Sequence, residues 1–231
     1  MHALEPILLA LPRFFAALLF LALARWIFPK VTPYDVTHEI SEADNPAFSA
    51  VFVGFMAAAT LALCGALFGA NGDPLHDLIA VGIGGIATLV LLPISLWLCD
   101  RGLLRRFPVT VEITRDRNLG AGFVVGGASV ATGLVLQGAL TGDSDGLRLM
   151  VRDLLAYWAA GQALLLLAGV VFQKLMPFDV HGRIEEDDNA AVGLAFGGFL
   201  VGFGLVLRAS LEGASSDFWV ELSIIGVWGL M

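Results

Sequence analysis

A two-helix unit that recurs in register constrains this chain more than any other feature. Asn45, Asn118 and Asn189 each open an apolar run. A glycine follows nine residues later (Gly54, Gly127, Gly198) and another at twenty-four (Gly69, Gly142, Gly213). Each preceding apolar run opens beside an acid: Glu5, Asp77, Asp153 and Glu221. A period held over three copies, with a fourth begun, marks a repeat architecture whose units bury their faces on one another. Residues 1–142 hold two repeats (1–72 and 73–142) and read as a first four-helix domain. Residues 143–231 hold a third repeat (143–213) and the start of a fourth (214–231), a second and C-terminally incomplete domain.

The units are transmembrane. Hydrophobic residues make up 58% of the chain and charged ones 15%, well outside the balance of soluble domains. Apolar stretches long enough to span about 30 Å of hydrocarbon as helix fall near 5–28, 47–70, 78–99, 119–140, 151–175 and 190–212. A seventh opens at Phe218 and reaches Met231 after fourteen residues, so the rest of a fourth unit is expected beyond it. No strand-like alternation is present, and unpaired backbone is not tolerated in lipid, so the spans are helices. The expected fold is an all-α, multi-pass bundle of parallel two-helix repeats with about seven spans. Every copy enters the membrane from the same side, which relates the copies by an axis along the membrane normal. A ring or pseudo-symmetric bundle follows from that relation.

Positive charge sets the orientation. The long loops after the first, third and fifth runs, with their flanks, carry nine Lys and Arg, among them Arg101, Arg105, Arg106, Arg115 and Arg117. Only Arg13, Arg148, Arg152 and Arg208 lie elsewhere. The long loops are therefore expected in the cytoplasm and the N-terminus outside, across a bacterial inner membrane. Ala22-Leu23-Ala24 imitates a cleavage site, but no positive charge precedes the first run, so it reads as a retained helix. A net charge of -8 argues against nucleic acid as a partner. Cys64 and Cys99 fall at different depths, and no Cys/His cluster suggests a metal or cofactor.

The landmarks have concrete chemistry. Asn is a preferred N-cap, and Pro46 after Asn45 sits where helices accept proline best. The acids beside the caps, Asp44 and Asp188, add to the polar entry, as do Asp35 and Asp179 further back in the loops. Small residues four apart, such as Gly65 and Gly69 or Gly193 and Gly197, let helix backbones approach closely. The glycines at positions nine and twenty-four belong to that packing set. Nineteen residues after each Asn stand Cys64, Gln137 and Arg208, which makes Gln137 and Arg208 the candidate intramembrane polar groups. Two readings of Glu5, Asp77, Asp153 and Glu221 stand side by side. They are interfacial acids that complement helix dipoles, or a ring of carboxylates at an entrance for cations or protons.

The segments PYDVTHEISEADN (33–45) and PFDVHGRIEEDDN (177–189) share Pro, an aromatic, Asp, Val, Ile, Glu, Asp and Asn at equal spacing. With the small-residue run that follows each, they resemble the YjfL-like bacterial inner-membrane family, which contains domain of unknown function 350. The resemblance implies a four-helix domain built from two related pairs. It carries no established activity, only an association with membrane-stress proteins. The middle copy departs from the pattern, with Pro108 for the early Asp and Arg117 for the acid before Asn118.

Two functions are expected from these residues. One is a conduit for a small cation or proton along the repeat axis. The other is a non-transporting scaffold that recruits a peripheral cytoplasmic protein in an envelope-stress response. An activated nucleophile, a metal cluster and a phosphate loop are all missing from the pattern, so an enzyme is not expected. Lipid and further membrane subunits, including copies of the chain itself, are the expected partners.

Overall fold

The computed structural model describes residues 5–69, 73–141, 146–211 and 218–230, and among them every regular element is helical. Six long helices carry the spans: α1 (Glu5–Val31), α2 (Pro46–Phe68), α3 (Pro74–Gly102), α5 (Leu119–Thr141), α6 (Leu147–Leu175) and α8 (Ala190–Leu211). Each is long and apolar enough to cross a membrane. A shorter apolar helix, α9 (Phe218–Leu230), opens the fourth unit. In the long loops lie a π-helical turn (His38–Glu42) and the short helices α4 (Val109–Thr114) and α7 (Val180–Glu185).

The second helices of the units, α2, α5 and α8, pack side by side, with α5 in the middle. Their contacts are backbone to backbone. A Cβ added to Gly54 would lie 2.5 Å from the Gly126 Cα, and one on Gly127 would lie 2.6 Å from the Gly197 Cα. Further along, Gly65 faces the Gln137 backbone and Gly138 faces the Arg208 carbonyl, so the three helices run parallel. Only glycine permits this approach, the use of small residues that membrane helices make in place of a hydrophobic drive.

The direction of growth follows from α5. Gly122, Gly126 and Gly133 meet α2, whereas Gly120, Gly127 and Gly138 meet α8. At 100° per residue these two faces are about 130° apart. A ring of three or four helices would bring them much closer together, so the copies form a shallow row instead of the ring expected from the repeats. The first helices make a second layer. α3 packs on both α2 and α5, α6 on both α5 and α8, and α9 on α8 and α6. α1 closes the other end through Phe28, which sits among Tyr34, Phe48, Phe52 and Phe55.

The packing role expected at position nine holds for Gly54 and Gly127. At Gly198 an added Cβ would meet nothing within 4 Å, so the third copy presents this face to the surroundings. Gly69 faces the Leu140 carbonyl, while Gly142 and Gly213 lie outside the described residues.

Candidate functional site

Each long loop ends in the same cap. Asn45 Oδ1 accepts from the Ala47 and Phe48 amides, Asn118 Oδ1 from Ala121, and Asn189 Oδ1 from Ala191 and Val192. These are the N-caps read from sequence. The backbone amide of each Asn also donates to the carbonyl six residues earlier, on Glu39, Glu112 and Arg183. The residue just before each Asn sits in the left-handed region: Asp44 at φ 49°, Arg117 at 52°, Asp188 at 49°. The middle copy therefore keeps the turn although Arg117 replaces the acid. A backbone conformation, not a charge, is what repeats there.

A second function of the Asn was not legible in the pattern. The Asn45 amide group donates to Glu39 Oε2 at 2.6 Å and to the Ile113 carbonyl of the next loop at 2.7 Å. Asn118 repeats both bonds, to Glu112 Oε2 and to the Ile184 carbonyl. Both Asn residues are 1% exposed, and each ties its own loop to the following copy. The shared Glu-Ile pair, six and five residues before Asn45 and Asn118, was the available signal. In the third copy Arg183 takes the place of the Glu. Burial raises the Glu112 carboxyl above its ordinary range, against the Asn118 hydrogen bond, which lowers it.

Asn118→Ala is expected to cost about 3 kcal/mol, a lost cap plus a buried carboxylate and carbonyl left unpaired. Asn189→Ala, which loses a cap alone, should cost only about 1 kcal/mol. Thermal melts of the two variants in detergent check the difference; equal losses would deny the latch.

Asp35 and Asp179 open their loops by accepting backbone amides, from Thr37 and His38 and from His181 respectively. Asp179 also takes a two-pronged contact from Arg106 at 2.9 and 2.7 Å, joining the second and third loops at an exposed position. His181 is buried against the Leu103 carbonyl, with Nε2 3.0 Å away. Burial, with Arg106 adding to it, holds its pKa below the ordinary value. His38 instead bonds Glu42 at the surface, so the two histidines share no site.

The outer acids do not behave as a set. Asp77 is buried and paired with Arg13 of α1 at 2.6 Å, whereas Asp153 pairs with its neighbour Arg152. Asp77 sits in the first turn of α3, where the dipole reading puts it, and is covered there by α1. Glu5 opens α1 and Glu221 lies in the first turn of α9. Because α1, α3, α6 and α9 follow one another along the row, the helix starts that bear these acids are spread along it and encircle no entrance.

Polar groups within the spans collect between α3, α5 and α6. Gln162 Nε2 donates to Thr132 Oγ1 at 2.7 Å, and Trp158 Nε1 donates to Ser95 Oγ at 2.9 Å. Ser95 and Ser129 return their hydroxyls to helix carbonyls. Toward the long loops a cavity of about 130 Å³ is lined by Tyr34, Asp100, Thr110 and Trp97. Gln137 is buried on the α2 side of α5 and its Oε1 accepts no hydrogen bond among the described residues. Arg208 occupies the equivalent place on α8, where its carbonyl lines the seam with Gly138. These two residues are equivalent seam positions in successive helices, and the Arg208 carbonyl lies beside Gly138, the residue after Gln137.

Parallel two-helix units, whose long helices are apolar enough to cross a membrane and are joined backbone to backbone, define a multi-pass helical membrane protein. The chain belongs to the family described as Domain of Unknown Function (DUF350), whose model matches residues 2–140 and again 146–231. The first match takes in four long helices, the second α6, α8 and α9. No curated protein and no solved structure matches the chain.

Proposed function

We propose that this protein is a non-conducting membrane platform, a rigid row of helices whose long loops, on the cytoplasmic side, receive a peripheral protein. The observation that carries this reading is the seam. Wherever α5 meets α2 or α8, glycine backbones touch, and no lumen separates them. The loop latches hold the platform's polar face in a fixed order. Exposed acids of the first and third loops, such as Glu42, Asp44, Glu186 and Asp188, flank the basic second loop with Arg105, Arg115 and Arg117. Such alternation gives a partner a charge pattern to read, and the basic stretch can also rest on anionic lipid.

A proton conduit is the second reading. It is favoured by the Ser95, Trp158, Thr132 and Gln162 group, which lies deeper than the cavity beside Asp100. Purified protein in proteoliposomes, with a pH-sensitive dye inside, separates the two. The platform predicts proton flux no greater than in protein-free vesicles. Flux that falls in Thr132→Val or Gln162→Leu would replace the platform by a conduit. On the platform reading, photocrosslinking from position 186 in cells should trap a soluble partner.

A further inference from the structure

The first and second loop ends are built from the same positions with different residues. A step of 73 residues, the one from Asn45 to Asn118, carries Tyr34 to Phe107. The same step carries Pro93, Leu96 and Asp100 to Leu166, Gly169 and Gln173. Thr110 and His181 also correspond, each eight residues before its capping Asn.

At the second loop end these positions are closed on one another. Gln173 Nε2 donates to the Leu103 carbonyl at 2.9 Å, and His181 Nε2 lies 3.0 Å from the same oxygen. The Phe107 ring stands edge-on to the His181 ring. Leu166 fills the space beside Gly102, and Leu103 that beside Gly169.

At the first loop end the same place is a cavity of about 130 Å³. Asp100 cannot copy Gln173, because a carboxylate has no proton to give a carbonyl. Thr110 is too short to copy His181, and its hydroxyl hydrogen-bonds that of Tyr34. The half-buried Asp100 carboxylate accepts no hydrogen bond among the described residues. Its neighbour Arg101 lies over the Trp97 ring, 4.6 Å from the centroid.

The lining selects a guest. Val51, Val109 and Val125 give a buried apolar floor, and Asp100, Tyr34 and Thr110 supply oxygens. A divalent metal needs about six oxygen ligands, and the described residues hold no cluster of donors for one. Asp100 repels an anion. An ammonium on a short carbon chain matches every wall: the carboxylate takes the charge, the hydroxyl oxygens accept N–H, and the valines cover the carbons. A void of roughly 150 Å³ can hold benzene, so the guest has about five or six non-hydrogen atoms.

We propose that this cavity binds the primary ammonium group of a short carbon chain through Asp100 and the Tyr34 and Thr110 hydroxyls. The site is independent of the platform reading and holds whether or not the loops recruit a partner. The ammonium comes either from a free amine or from an ethanolamine lipid headgroup reaching in beside the exposed Trp97.

The test titrates the full chain, in phosphatidylglycerol nanodiscs, with n-butylammonium in a calorimeter. A saturable Kd of about 1 mM is expected for a guest this small. Uncharged n-butanol should bind at least about tenfold more weakly, the scale of one charge-assisted hydrogen bond, and Asp100→Asn should weaken butylammonium as much. Asp100→Gln with Thr110→His, which copies the second loop end, should fold and bind none. The ligand series on the parent decides if either variant fails to fold. In phosphatidylethanolamine discs, loss of butylammonium binding would identify the headgroup as the guest, and unchanged binding a free amine. Equal affinity for butanol and butylammonium, no saturable binding in the phosphatidylglycerol discs, or unweakened binding by a folded variant would overturn the proposal and leave a water-filled gap.

Discussion

Gly127→Val is expected to abolish folding of the central row, and Gly127→Ala to cost about 3 kcal/mol or more. A Cβ at this position would lie 2.6 Å from both the Cα and the carbonyl oxygen of Gly197, backbone atoms that no rotamer change can move. Relief requires α5 and α8 to separate, which loosens the whole seam, and overpacking of this kind typically costs 1–3 kcal/mol even where side chains can yield. Gly82 supplies the control. It is also a helical glycine, yet a methyl group there meets nothing within 4 Å. Gly82→Ala should therefore be neutral or gain up to about 1 kcal/mol from helix propensity. Tryptophan fluorescence melts of the variants in detergent check the contrast. If Gly127→Ala melts with the parent, the helices are not in backbone contact.

The same contrast shows what a sequence of this kind discloses. The repeat, its register, the capping Asn residues and the small-residue faces were legible because each depends on spacing along one helix. Where the faces point relative to one another was not. Gly126 and Gly127 are adjacent in the chain yet serve α2 and α8 respectively, and the angle of about 130° between the two glycine faces decides between a ring and a row. Gly198 looks identical to Gly54 and Gly127 in the pattern but has no neighbour, because its environment depends on what packs beside α8. The latch was half legible. Its cap is local, whereas the bond from Asn45 to the Ile113 carbonyl joins residues 68 apart. The partner of Asp77 was hidden for the same reason: Arg13 lies 64 residues away, on a different helix.

That ion pair sets the second large effect. Asp77→Asn is expected to destabilise the protein by about 3 kcal/mol, because it leaves the Arg13 guanidinium in apolar packing without its counter-charge. Asp77 is 2% exposed and Arg13 19%, so Arg13 reaches the polar boundary only in part, and snorkelling offsets part of the loss. For a chain of this length the change amounts to about 6–12 °C in melting temperature. Arg13→Leu alone should be comparably harmful, since it strands the more deeply buried carboxylate. The double variant Arg13→Leu, Asp77→Leu should recover much of the loss, as buried pairs replaced by apolar groups of similar size often do. The cycle of four proteins isolates the coupling between the two residues. A double variant as unstable as the sum of the singles would show that the pair contributes nothing of its own. A large coupling would show that this acid is occupied in joining α1 to α3, and so cannot serve as a free carboxylate at the mouth of a pore.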